Sequence, residues 1–80
     1  MFINKTAEGN NNLIGETLKN LRKNLPLSQR AFAEKLQISG LDIDKNAIQR
    51  IECGKRFVTD IELRKICEVL NTTPNDLLNF

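Results

Sequence analysis

Apolar residues recur along this chain at intervals of three and four, and no segment sustains the strict alternation of a strand. Ile14, Leu18 and Leu21 form one stripe, Phe32, Ala33 and Leu36 a second, and Ile48 and Ile51 a third. Ile61, Leu63, Ile66, Cys67 and Leu70 give a fourth, wider one, and Leu77 and Leu78 follow near the end. The pattern predicts five helices joined by short turns, a compact all-α domain.

The polar residues between the stripes mark where helices begin and end. Residues 1–11 carry no period and read as a flexible N-terminal arm, which leaves 12–80 as the domain. The Asn10–Asn12 run supplies a cap for the first helix, at Asn12. Asn24, Leu25 and Pro26 stop it, because proline disfavours helix in the residue before it and cannot continue the ladder. Ser28 caps the second helix. Gln37 to Ile43 contains Gly40 and no clear period, so it is expected to be a turn. Asp44 caps the third helix, which runs to about Cys53, and Gly54 suits the left-handed position that ends helices. Thr59 with Glu62 forms a capping box for the fourth helix, and Asn71 ends it. Thr73 followed by Pro74 opens a short fifth.

The third helix, 44–53, carries the chemistry. Lys45, Asn46, Gln49 and Arg50 stand on one side, with Ile48 and Ile51 on the other. Such a helix packs by its apolar stripe and offers long hydrogen-bonding side chains to a groove. With the helix before it, this is the arrangement of a helix-turn-helix, with its core at 28–54.

Charge sharpens the picture. The net charge of +2 says little, but residues 45–56 hold Lys45, Arg50, Lys55 and Arg56 against Glu52 alone, a local balance of +3. Residues 57–80 hold Arg64 and Lys65 against Asp60, Glu62, Glu68 and Asp76, a balance of −2. A basic segment on a balanced protein fits a polyanion partner; a solvated helix face fits the charge alone equally well.

Composition excludes several classes. Eighty residues leave room for one core. No apolar run approaches the ~20 residues of a membrane span, and no secretory signal pattern is present, so a cytoplasmic protein without a membrane partner is expected. Cys53 and Cys67 are isolated, and with no histidine in the chain neither a metal site nor another cofactor is expected. Cys67 falls in the apolar rhythm of the fourth helix. An enzyme is not expected, since there is no glycine-rich phosphate loop and no nucleophile–base constellation.

Five pieces in order, IGETLKNLRK, LSQRAFAEKL, NAIQRIECGKR and LRKICEVLNTTPNDLL (the last covering two helices), resemble the Cro-type, lambda-repressor-like helix-turn-helix family, also called XRE. The resemblance covers about four-fifths of the chain, from Ile14 to Leu78. There are two departures. The family commonly has a glycine directly after helix 2, where Gln37 stands here, and the turn ISGLDID is about five residues longer than usual. Ala31 stands where the family often has an acidic residue.

The resemblance implies that helix 3 lies in the major groove of double-stranded DNA. Lys45 and Asn46 then lead base reading, with Gln49 able to read adenine and Arg50 to reach a guanine or a phosphate. Ser28 and Gln29, at the start of helix 2, are expected to meet phosphate, and Lys55 and Arg56 likewise. The family pairs an arginine late in helix 1 with a glutamate ending helix 3; Arg22 and Glu52 match as a structural ion pair. Acidic Asp44 is accounted for as a cap, whereas Asp42 has no such account.

The function expected is a sequence-specific transcription regulator, a repressor, bound as a homodimer to an inverted repeat. Leu78 and Phe80 are candidates for the dimer surface, Phe80 the better one because Leu77 and Leu78 can complete the core. The alternative is an antitoxin-like or accessory module that uses the same fold to hold another protein. Anchors for such a partner would be aromatic or aliphatic, and helix 3 offers polar groups instead.

Overall fold

The computed structural model describes residues 5–6 and 8–78. Within them the chain forms α1 (Gly15–Asn24), α2 (Gln29–Ile38), α3 (Lys45–Glu52), α4 (Asp60–Leu70) and α5 (Pro74–Leu78), with no strand. No helix among the described residues is long and apolar enough to cross a membrane, and no group of side chains there could hold a metal ion. Phe80 lies outside the described residues.

Local capping sets most of the boundaries. The Ser28 hydroxyl accepts from the Ala31 N–H, the Asp44 carboxylate from Ala47, and the Thr73 hydroxyl from Asp76. Thr59 and Glu62 close a complete capping box. Each cap satisfies an N–H that a helix start leaves without an internal partner. The first helix differs from expectation. Ile14, already near helical backbone angles, holds its cap position and makes no side-chain bond. Asn12 acts from further back, its Oδ1 accepting from the Gly15 N–H at 2.9 Å.

Three helices end alike. After α2, Gly40 takes a φ of +103°, its N–H reaches the Gln37 carbonyl, and the Leu41 N–H reaches Leu36. Gly54 after α3 and Asn71 after α4 repeat the pattern at positive φ. This is the Schellman ending, which ties off carbonyls that a helix leaves open. It also revises the turn expected over Gln37–Ile43. Gln37 and Ile38 belong to α2, and the turn begins at Ser39. Gln37 then spans the lengthened turn, donating from Nε2 to the Ile43 carbonyl at 2.8 Å. Ile43 is buried and Leu41 half-buried, so the extra residues add to the core.

That core joins Leu18 of α1, Phe32 and Leu36 of α2, Ile48 and Ile51 of α3, Ile66 and Leu70 of α4, and Leu77 of α5. Packing runs α2 on α3 and α4, α1 on α3 and α5, and α4 on α5. Cys67 is buried, which pushes its thiol up, while Cys53 is exposed. Ile61 corrects the fourth stripe, for it is 67% exposed. At 3.6 residues per turn it falls on the side of α4 away from Ile66, Cys67 and Leu70. Leu78 is part-exposed, consistent with Leu77 alone completing the core.

Gly15 fixes where α1 meets α3. A Cβ there would collide with the Ile51 carbonyl oxygen and stand 3.0 Å from that of Glu52. The first turn of α1 therefore rests on the last turn of α3, backbone against backbone.

Candidate nucleic-acid interface

The side of α3 away from the core holds the candidate reading residues. Ile48 and Ile51 are fully buried and Ala47 is half-buried, whereas Lys45, Asn46, Gln49 and Arg50 are all exposed. At 3.6 residues per turn these four cover an arc of about 140°. No carboxylate lies within that arc. Asp44 is spent as the cap, and Glu52 turns inward.

Glu52 is the point where three helices are tied. Its Oε2 accepts from Arg22 Nε at 2.6 Å and its Oε1 from Arg22 Nη2 at 3.0 Å. The side chains of Arg22 and Glu52 are only 8% and 3% exposed. Arg22 also donates from Nη1 to the Leu27 carbonyl, so each of its three guanidinium nitrogens has a partner. Gln29, from the first turn of α2, donates to Glu52 Oε1 at 3.0 Å. Expected to meet phosphate, Gln29 thus has one amide hydrogen committed to the bridge, with the other and the carbonyl oxygen uncommitted. Ser28 beside it is exposed and serves as the cap.

Beyond α3 the two expected phosphate residues part company. Lys55 is exposed and its side chain makes no ion pair with any described residue. Arg56 is engaged by the protein. It donates twice to Glu62, at 2.9 and 2.8 Å, and once to the Phe57 carbonyl. The hydrogen bonding between the Arg56 and Glu62 side chains, above other causes, raises Arg56 and lowers Glu62 from their ordinary values. Glu62 also accepts from the Thr59 N–H, so a single carboxylate pins the α3–α4 connection and starts α4.

This pairing has a consequence in acid. A carboxylate held below its unfolded value contributes stability that is complete above roughly pH 4.3, the ordinary glutamate value, and is lost as pH falls through the lowered one. Thermal melting from pH 7 to pH 3 is expected to show a declining midpoint below that point, and Glu62→Gln to flatten part of the decline. Parallel curves for the two proteins would mean that the pair contributes nothing on acidification.

Sequence reading missed one group of residues here, Asn10 to Asn12, which it assigned to the arm and a cap. They also lie against the exit of α3. The Asn11 N–H donates to the Gly54 carbonyl at 2.7 Å, and Asn11 Nδ2 to Lys55 at 2.9 Å. Asn12 Nδ2 donates to the carbonyls of Ile51 at 3.0 Å and Arg56 at 2.8 Å. The run of three asparagines was the available signal, but nothing local says where such amides go.

The model of a family described as a helix-turn-helix domain matches residues 15–79. No curated protein matches the chain. Among solved structures, the chain is similar to the restriction-modification controller protein C.AhdI from Aeromonas hydrophila. The two are 26% identical, with a TM-score of 0.70 over 80% of this chain and 86% of that one.

Proposed function

The chain belongs to the helix-turn-helix domain family, of the XRE type, and is a DNA-binding transcription regulator; from that premise we propose that it is a sequence-specific repressor reading the major groove with α3. One observation carries this reading: Lys45, Asn46, Gln49 and Arg50 form an exposed polar arc free of carboxylates, with Asp44 engaged as the helix cap and Glu52 withdrawn into a buried bridge. Lysine donates to guanine acceptors, asparagine and glutamine pair with adenine, and arginine serves guanine or phosphate. Phosphate contacts come from the start of α2, at Ser28 and Gln29, and from Lys55. Arg56 joins them only by sharing its guanidinium with Glu62. Likeness to a protein described as a restriction-modification controller supports the regulatory half of the reading.

A domain of this size gains affinity by pairing. Two copies related by a two-fold axis would set their α3 helices in successive major grooves, about 34 Å apart, on an inverted repeat. The activity is binding, carried out in the cytoplasm, and needs no cofactor.

The test is selection of the protein against a random double-stranded DNA library at near-physiological salt. Enrichment of an inverted repeat with half-sites one helical turn apart is expected. Weak binding without enrichment would overturn the reading in favour of a protein partner. On the selected site, Lys45→Ala and Asn46→Ala are each expected to cost roughly 1–3 kcal/mol of affinity and to relax preference at one base position, with the fold intact. Unchanged affinity in both would mean that another part of α3 enters the groove.

A further inference from the structure

We propose that Asn11 is a positioning residue for DNA binding, which acts by fixing the backbone of Lys55 at the exit of α3; the proposal rests on the DNA-binding reading above. The exit is held to an unusual degree. The carbonyls of Gly54, Lys55 and Arg56 follow one another in the chain, and each accepts a hydrogen bond from Asn11 or Asn12, about forty positions earlier. Lys55 is tied from both sides. Its N–H donates to the Arg50 carbonyl at 2.8 Å, and its own carbonyl accepts from Asn11 Nδ2 at 2.9 Å. Gly54 in turn packs on Asn10, where a Cβ would fall 2.6 Å from the side chain.

Burial does not require the bond between Asn11 and Lys55. Lys55 is exposed, and water can satisfy an exposed carbonyl. The bond is made at a cost, since Asn11 Oδ1 is shielded from solvent and has no partner. The flipped amide would set Oδ1 against the Lys55 oxygen, so the orientation seen is the one that keeps the donor on Lys55. For a polyanion partner the effect is one of position: a lysine stem is long and flexible, and fixing its Cα narrows where the ammonium can be.

A double-mutant cycle on the selected operator tests this. Affinity is measured across a salt series for the parent, Asn11→Ala, Lys55→Ala and the double variant, with melting followed in parallel. Lys55→Ala is expected to weaken binding to all sequences alike and to lower the salt slope by about one. Asn11→Ala is expected to weaken binding roughly three- to tenfold and to lower the slope in the same sense. In the Lys55→Ala background it should do nothing more. A merely structural role would lower the melting point, leave the slope alone and add to Lys55→Ala; that result overturns the proposal, as does parent-like binding by Asn11→Ala. Asn11→Ser, too short to reach the Lys55 carbonyl, serves if the alanine variant fails to fold. Silence of Lys55→Ala with a weakened Lys45→Ala would overturn the proposal alone, whereas absence of specific binding by the parent would overturn the DNA-binding reading with it.

Discussion

Replacing Glu52 with alanine is expected to lower the stability of the domain by about 3–5 kcal/mol. The reason lies in what the substitution leaves behind. Arg22, at 7% exposure, keeps its charge and loses both bonds to the carboxylate, retaining only the Leu27 carbonyl. Gln29 loses its partner as well. An unpaired buried charge is far costlier than a broken pair at the surface, where about 0–1 kcal/mol is usual. Domains of this length are stable by roughly 4–12 kcal/mol, so the change removes about a quarter of the total or more. Denaturant unfolding measures it, as a lower midpoint with unchanged slope. A loss under about 1 kcal/mol would mean that water reaches the bridge and that it behaves as a surface pair. Because α1, α2 and α3 meet at this carboxylate, specific binding should weaken along with the fold.

Gly15→Val is expected to cost at least about 3 kcal/mol, the upper end of the range for overpacking. The added carbons meet the carbonyls of Ile51 and Glu52, which are backbone atoms and have no rotamer to escape into. Relief requires α1 to lift from α3. Asn12 would be strained with it, since its amide joins the Gly15 N–H to the Ile51 carbonyl. The melting point should fall, and any folded remainder should bind the selected site more weakly because the end of α3 has moved. Near-parental melting would show that the two helices are farther apart than their contact here implies. Gly15→Ala brings the same collision with fewer atoms and should fall between.

What was legible in the sequence was local. Ser28, Asp44, Thr59 with Glu62, and Thr73 cap within three residues, so their bonds follow from spacing alone. Gly54 and Asn71 end helices for the same reason. The polar arc of α3 was legible because Ile48 and Ile51 set its opposite side. Errors came where the chain had to be read at a distance or around a full turn. Ile61 was counted with its apolar neighbours although its position on the helix turns it outward. Ile38, expected in the turn, instead ends α2 and is 87% exposed, since Phe32 and Leu36 define the other side. The amides of Asn11 and Asn12 find carbonyls that only the packing of α1 on α3 brings near. The turn between α2 and α3, about five residues longer than is usual in the family, is tied across by Gln37, which stands where the family commonly has glycine.

The two thiols make this protein its own reporter of opening. Cys53 sits at the end of α3 in reach of any water-soluble thiol reagent, while Cys67 lies in the core of α4, shielded and held protonated. Labelling at Cys53 follows the reagent, and labelling at Cys67 waits for α4 to leave its neighbours. The ratio of the two rates, read by mass in a single sample, is a clock for how often the folded state comes apart.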